Sequence, residues 1–228
     1  MSITGGSDEL ARAIQDLRVR HRMGEATLAD FFELIRAFKN SPELLRSHAK
    51  SLGELNREIF LASHRVFPVG WGALAEILIL VVSIAAGLAA ILAKEPALIV
   101  IAQIGTVIAL HPLLHLLAGT LMGIRFLGFY LNGPLRIEPG VKVDYETFLL
   151  RTGRRRALFF LAGIAGTFTG AFGWLLIGYF YSLPALYVNI LLAISLLLFI
   201  SEFIPPRLFG FKWYKSDLYK ALRELKSH

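Results

Sequence analysis

The chain contains no cysteine, which excludes disulfides and thiolate metal sites and leaves the redox compartment unread. Charge is scarce too. Only 18% of the 228 residues are Asp, Glu, Lys or Arg, against 55% hydrophobic residues and a mean hydropathy of +0.59. Soluble domains carry about a quarter charged residues and interrupt their apolar runs sooner, so this composition excludes an ordinary soluble domain. Internal repeats and low-complexity tracts are absent as well.

What the chain has is apolar length. Gly72–Ala93, Ala97–Ile124, Ala157–Tyr181 and Ala185–Ile204 each reach the ~20 residues that cross a bilayer. The first begins well inside the chain and lacks a small-residue cleavage site, so none reads as a signal peptide. Lys94 is the single basic residue between runs one and two, and none lies between runs three and four. Arg125, Arg136, Lys142, Arg151, Arg154, Arg155 and Arg156 crowd between runs two and three, and more basic residues flank the set. The positive-inside rule therefore predicts a multi-pass integral membrane protein with the N-terminus, central loop and C-terminus in the cytoplasm. The net charge of +7 then serves orientation and contact with anionic membrane lipids, with no nucleic acid needed.

Residues 1–66 mix acidic and basic residues around helical apolar spacings. Leu10, Ile14 and Leu17 follow Ser7-Asp8-Glu9; Leu28, Phe31, Phe32 and Ile35 follow Thr27; Ser41-Pro42-Glu43 is a helix start. Between runs two and three, Asn132-Gly133-Pro134 and Glu138-Pro139-Gly140 read as turns, and Leu135–Ile137 and Val141–Val143 as short strands. The expected fold is an all-α membrane protein. It has four transmembrane helices, a small cytoplasmic β-hairpin between spans two and three, a helical cytoplasmic region over 1–66 and a membrane domain over 67–228. In the third run Gly163, Gly166, Gly170 and Gly173 have the spacing of tight helix packing in lipid.

Ionisable residues at membrane depth are costly and face protein or water. They are Glu76, His111, His115 and Glu202, with Gln103, Asn189 and Ser195 as uncharged company. Glu76 lies near one end of its run, within reach of the interface. His111 lies near the middle of its run, and His115, four residues on, is on the same side of a helix. Two imidazoles so placed suit one metal ion, which needs a third ligand from elsewhere. Pro112, directly after His111, removes an N–H and is expected to kink or loosen the helix there. A haem held between opposing helices fits poorly, because both histidines are on one helix.

On these residues the chain resembles the site-2-protease family, the M50 intramembrane zinc metallopeptidases, from about Gly72 to Leu225. His111-Pro112-Leu113-Leu114-His115 stands where that family has HExxH, followed by Ala118-Gly119 and Gly123. Ala162-Gly163-Ile164-Ala165-Gly166 is similar to its Ala-Gly motif. Glu202-Phe203-Ile204-Pro205-Pro206 stands at its Asn-x-x-Pro motif, and Ser216-Asp217-Leu218-Tyr219-Lys220 is similar to its Ser-Asp-Gly ending. The resemblance implies zinc held by His111, His115 and Asp217, and action within the membrane helices of protein substrates or partners, as in regulated intramembrane proteolysis. Asp217 also suits the N-terminus of a helix capped by Ser216.

Three positions depart from the family. Pro112 replaces the glutamate that serves as general base, Glu202 replaces the Asn, and Leu218 replaces the Gly after the Asp. A catalytically impaired homologue, or pseudoenzyme, that binds transmembrane proteins is one reading. An active protease with its base moved to Glu202, or more remotely Glu76, is a second. A metal-ion binding or transport protein is a third.

Overall fold

The computed structural model describes residues 6–38, 40–132, 138–203 and 216–226. Four helices precede the first apolar run: α1 (Ser7–Arg22), α2 (Leu28–Ala37), α3 (Pro42–Ser47) and α4 (Ala49–Ser63). The start of α2 is set by a capping box. Thr27 Oγ1 accepts the Ala29 N–H, and the Asp30 carboxylate accepts the Thr27 N–H at 2.8 Å. Pro42 opens α3, where its missing N–H removes no helical bond.

Four helices are long and apolar enough to cross a membrane: α5 (Val69–Leu92), α6 (Leu98–Leu121), α8 (Gly153–Phe180) and α9 (Ala185–Phe203). They fall on the four apolar runs, with ends moved for local reasons. Gly123, at φ +73°, closes α6 before Ile124. Its N–H bonds Thr120 O and the Ile124 N–H bonds Gly119 O, a Schellman ending that only a left-handed residue allows. Thr152 caps α8 ahead of the arginines, so Arg154, Arg155 and Arg156 ride on its first turn rather than in a loop. The helix α6 runs through Pro112.

A hairpin separates α6 from α8, with strands β1 (Phe126–Asn132) and β2 (Glu138–Val143) antiparallel, from Phe126 opposite Val143 to Asn132 opposite Glu138. The first strand is thus Phe126–Asn132; the expected strand Leu135–Ile137 lies outside the described residues. The run FLGFYLN pairs because Phe129 also bridges Phe67, through bonds of 2.7 and 2.9 Å between their backbones. Gly128 must be glycine there. Its φ is +153°, and a Cβ would strike the Phe67 carbonyl.

Two apolar cores result. One joins Leu10, Phe31, Leu52, Leu55 and Ile59 of the N-terminal helices to Phe148 of α7 (Tyr145–Leu149) and Phe159 of α8. The helices α1 to α4 therefore share a core with the segment that opens α8. The other core, around Ile99, Trp174 and Leu191, fills the far end of the bundle. There Gln103 Nε2 donates to Ala171 O, Leu191 O and Ser195 Oγ, tying α6, α8 and α9 together. The last helix, α10 (Asp217–Leu225), packs mainly on α8.

Candidate metal centre

His111 and His115 project from α6 toward α8, their ring centroids 4.8 Å apart. Space for them comes from glycine. A Cβ on Gly163 would collide with the His115 ring, and one on Gly166 would lie 2.6 Å from Leu110 O. Of the four spaced glycines, Gly163, Gly166 and Gly170 face α6, whereas Gly173 meets nothing within 4 Å.

Asp217 completes the group. His111, His115 and Asp217 each offer one ligand atom, and these atoms lie within 4.8 Å of one another. Asp217 Oδ2 is 2.7 Å from His115 Nε2 and 3.4 Å from His111 Nε2. The aspartate arrives through α10. Ser216 Oγ accepts the Tyr219 N–H, and Arg156 Nε donates to Glu224 Oε2 at 2.7 Å, pinning the helix to the first turn of α8. Residues 204–215, between α9 and α10, lie outside the described residues.

The partners of the rings determine which nitrogens face inward. His115 Nδ1 is 2.8 Å from Phe159 O, which can only accept, so Nδ1 carries the proton. His111 Nδ1 is 2.9 Å from Thr167 Oγ1, whose own hydroxyl donates to Gly163 O at 3.3 Å. With the Thr167 hydroxyl turned to Gly163 O, His111 Nδ1 donates as well. Both Nε2 atoms face a carboxylate oxygen: each offers a lone pair to a metal ion when unprotonated, and His115 Nε2 donates to Asp217 Oδ2 at 2.7 Å when it carries a proton. Three lone pairs converging in a buried place require a cation among them, either a proton or a metal ion.

The donor set fits a metal. Nitrogen and oxygen ligands at about 2.0–2.2 Å from a tetrahedral ion lie roughly 3.4 Å apart, the His111–Asp217 separation, while the His115–Asp217 pair is closer and hydrogen-bonded. Burial pushes the Asp217 carboxyl up, but the His115 hydrogen bond and the Lys220 ammonium, 2.7 Å from Oδ1, outweigh it and hold the carboxyl below its usual range. Asp217 is thus an anion with one oxygen fixed by Lys220 and the other turned to the imidazoles. His115 and Asp217 are buried, while a third of the His111 side chain is exposed, so access is from the His111 side. Thr167, Phe159 and Lys220 were not legible as site residues. Thr167, four residues after Gly163, was the available signal, and Thr169 within the same glycine series shares it.

Glu202 is buried near the end of α9, and its Oε2 accepts the Leu218 N–H at 3.5 Å. It therefore holds the start of α10 beside Asp217 but supplies no atom to the three-ligand group. Glu76 is buried in α5. It is 3% exposed, and its Oε2 has no hydrogen-bond partner among the described residues. Pro112 is buried in α6 between the two histidines.

Compared with family models, curated proteins and solved structures, the chain matches none.

Proposed function

We propose that this chain is a divergent homologue of the site-2-protease type, holding zinc on His111, His115 and Asp217 and binding transmembrane segments of other proteins, with peptide hydrolysis impaired. One observation carries the reading: three donor atoms, those of His115 and Asp217 on buried residues and that of His111 on a partly exposed one, converge from positions up to about a hundred residues apart. In the proposal His111 and His115 hold the ion through Nε2 and Asp217 through Oδ2. Thr167 and Phe159 orient the rings, and Lys220 orients the carboxylate. Bound zinc would act there as a Lewis acid on a carbonyl. Pro112 has no group that takes or gives a proton, and loss of a positioned base slows such chemistry by about 10²–10⁴-fold.

A second reading rests on Glu202. This carboxyl is buried within hydrogen-bond reach of the helix that carries Asp217, so a relocated base is the alternative for an active protease. The third, an ion carrier, finds little support, because Gln103 and Ser195 are engaged with each other and with backbone carbonyls.

Metal content of the detergent-purified protein tests the first reading. Near-stoichiometric zinc, lost in a His111→Ala/His115→Ala variant, is the expected result. Zinc absent from the parent protein overturns it. If the parent cleaves a transmembrane substrate, Glu202→Gln separates the two readings: unchanged cleavage removes Glu202 as the base.

A further inference from the structure

A cavity of about 400 Å³ lies between the N-terminal helices, α7 and α10, at the α10 end of α8. That volume falls within the range of small-molecule sites, roughly 300–1,000 Å³. None of the three candidate metal ligands lines it, so a role for this cavity is independent of the metal reading.

The walls are of two kinds. Phe32, Ile35, Leu45, Phe148 and Leu149 form an apolar floor continuous with the core beneath. The charged lining is mostly cationic: Arg36, Arg156, Arg223 and Lys226 stand with a single acid, Glu224, beside the neutral polar groups of Asn40, Tyr145 and Tyr219. Glu224 is already committed, with Oε2 on Arg156 at 2.7 Å and Oε1 on Arg223 at 3.1 Å. Arg36 and Lys226 are exposed and have no carboxylate within ion-pair distance among the described residues. The mouth therefore carries uncompensated positive charge over an apolar interior.

The position adds a constraint. Arg156 belongs to the first turn of a membrane-spanning helix, next to exposed Arg154 and Arg155. Phosphate-bearing headgroups concentrate at that depth, and basic residues there attract them. A soluble anion has no use for the apolar floor, and a neutral lipid has none for the arginine and lysine at the mouth. We propose that this cavity binds one anionic phospholipid, with its phosphate on Arg36 and Lys226 and acyl carbons against Phe32, Ile35 and Leu149.

The test uses the full chain in an uncharged detergent and short-chain dioctanoyl lipids, with binding followed by native mass spectrometry and thermophoresis. Dioctanoyl phosphatidylglycerol should bind saturably, and at least about tenfold more tightly than the phosphatidylcholine of the same chains or inorganic phosphate. Arg36→Glu/Lys226→Glu should weaken phosphatidylglycerol by about tenfold, two juxtamembrane charges being removed and reversed. Ile35→Trp, which fills the floor and leaves the cations, should weaken it as well. Equal binding of the two lipids overturns the proposal, as does phosphate binding as tightly as phosphatidylglycerol. Phosphatidylglycerol affinity unchanged in both variants overturns it too. Zinc content is read in the same samples, so failure here is distinguishable from failure of the metal reading.

Discussion

Thr167 and the Phe159 carbonyl decide what the two histidines can do. Each accepts an Nδ1 proton and so turns Nε2 toward Asp217. Such outer partners raise ligand basicity and fix ring orientation, and their loss typically weakens metal binding 10–100-fold. Thr167→Val keeps the shape and removes the acceptor. Zinc affinity, measured by competition with a chromophoric chelator, is expected to fall by about that factor, while Asp217→Asn removes a ligand and falls further. Equal affinity in Thr167→Val and the parent protein would show that His111 needs no such partner. Glu76 and Glu202 present the contrast of two buried carboxyls, one without a hydrogen-bond partner for Oε2 among the described residues and one used on a helix N-terminus.

The pairing of α6 with α8 is where packing and chemistry meet. In lipid, close approach of helices depends on small residues, because lipid tails are as apolar as leucine and give no hydrophobic drive. Gly166 sits against the α6 backbone, with Leu110 O 2.6 Å and His111 Cα 3.1 Å from where its Cβ would be. Backbone yields poorly. Gly166→Ala is expected to push the helices apart, with an overpacking penalty of about 1–3 kcal/mol seen as a lower melting temperature and with loss of zinc. Gly173→Ala meets open space and should leave both unchanged. If the two substitutions behave alike, the glycine spacing is not what holds α6 to α8. The helix α10 depends on a different device. Its strongest link to α8 is the buried Arg156–Glu224 pair, two turns from Asp217, so the third ligand is held from a distance.

Across the molecule, the helices before α5, the hairpin and α7 gather at one end of the four-helix bundle, sharing a core that reaches from Leu10 to Phe159, and α10 packs on α8. Among the described residues, the opposite end holds the short turns around Lys94 and Ser182, both at positive φ. Basic residues gather at the first end, which the positive-inside rule assigns to the cytoplasm. The absence of cysteine makes this measurable without background. Single cysteines at Glu25 and Asp144 should be labelled by an impermeant maleimide only in inside-out vesicles, and cysteines at Glu95 and Ser182 only in right-side-out ones. The reverse pattern would invert the orientation, and labelling of all four from one side would remove the four-span reading.

The four spans were legible because bilayer thickness translates into run length, and each of the helices α5, α6, α8 and α9 lies on its run. The helix starts after Thr27, at Pro42 and after Ser216 were legible because a helix end is a local problem of unpaired N–H groups, although Ser41, expected to cap α3, makes no side-chain cap bond. His111 and His115 were legible as a pair because helical geometry alone puts positions four apart on one face. The first strand was not. FLGFYLN continues the apolar run, and only the Phe67 backbone, far off in the chain, pairs with Phe129 on its other edge. Asp217 was suggested by family likeness, but its distance from the histidines was open. A contact across 102 residues depends on Arg156 meeting Glu224 and on glycines letting α8 lie against α6, neither of which has a period to read. The choice of Nε2 as the inward atom was likewise invisible in the sequence, because a histidine's tautomer follows from the acceptor that folding brings beside its Nδ1.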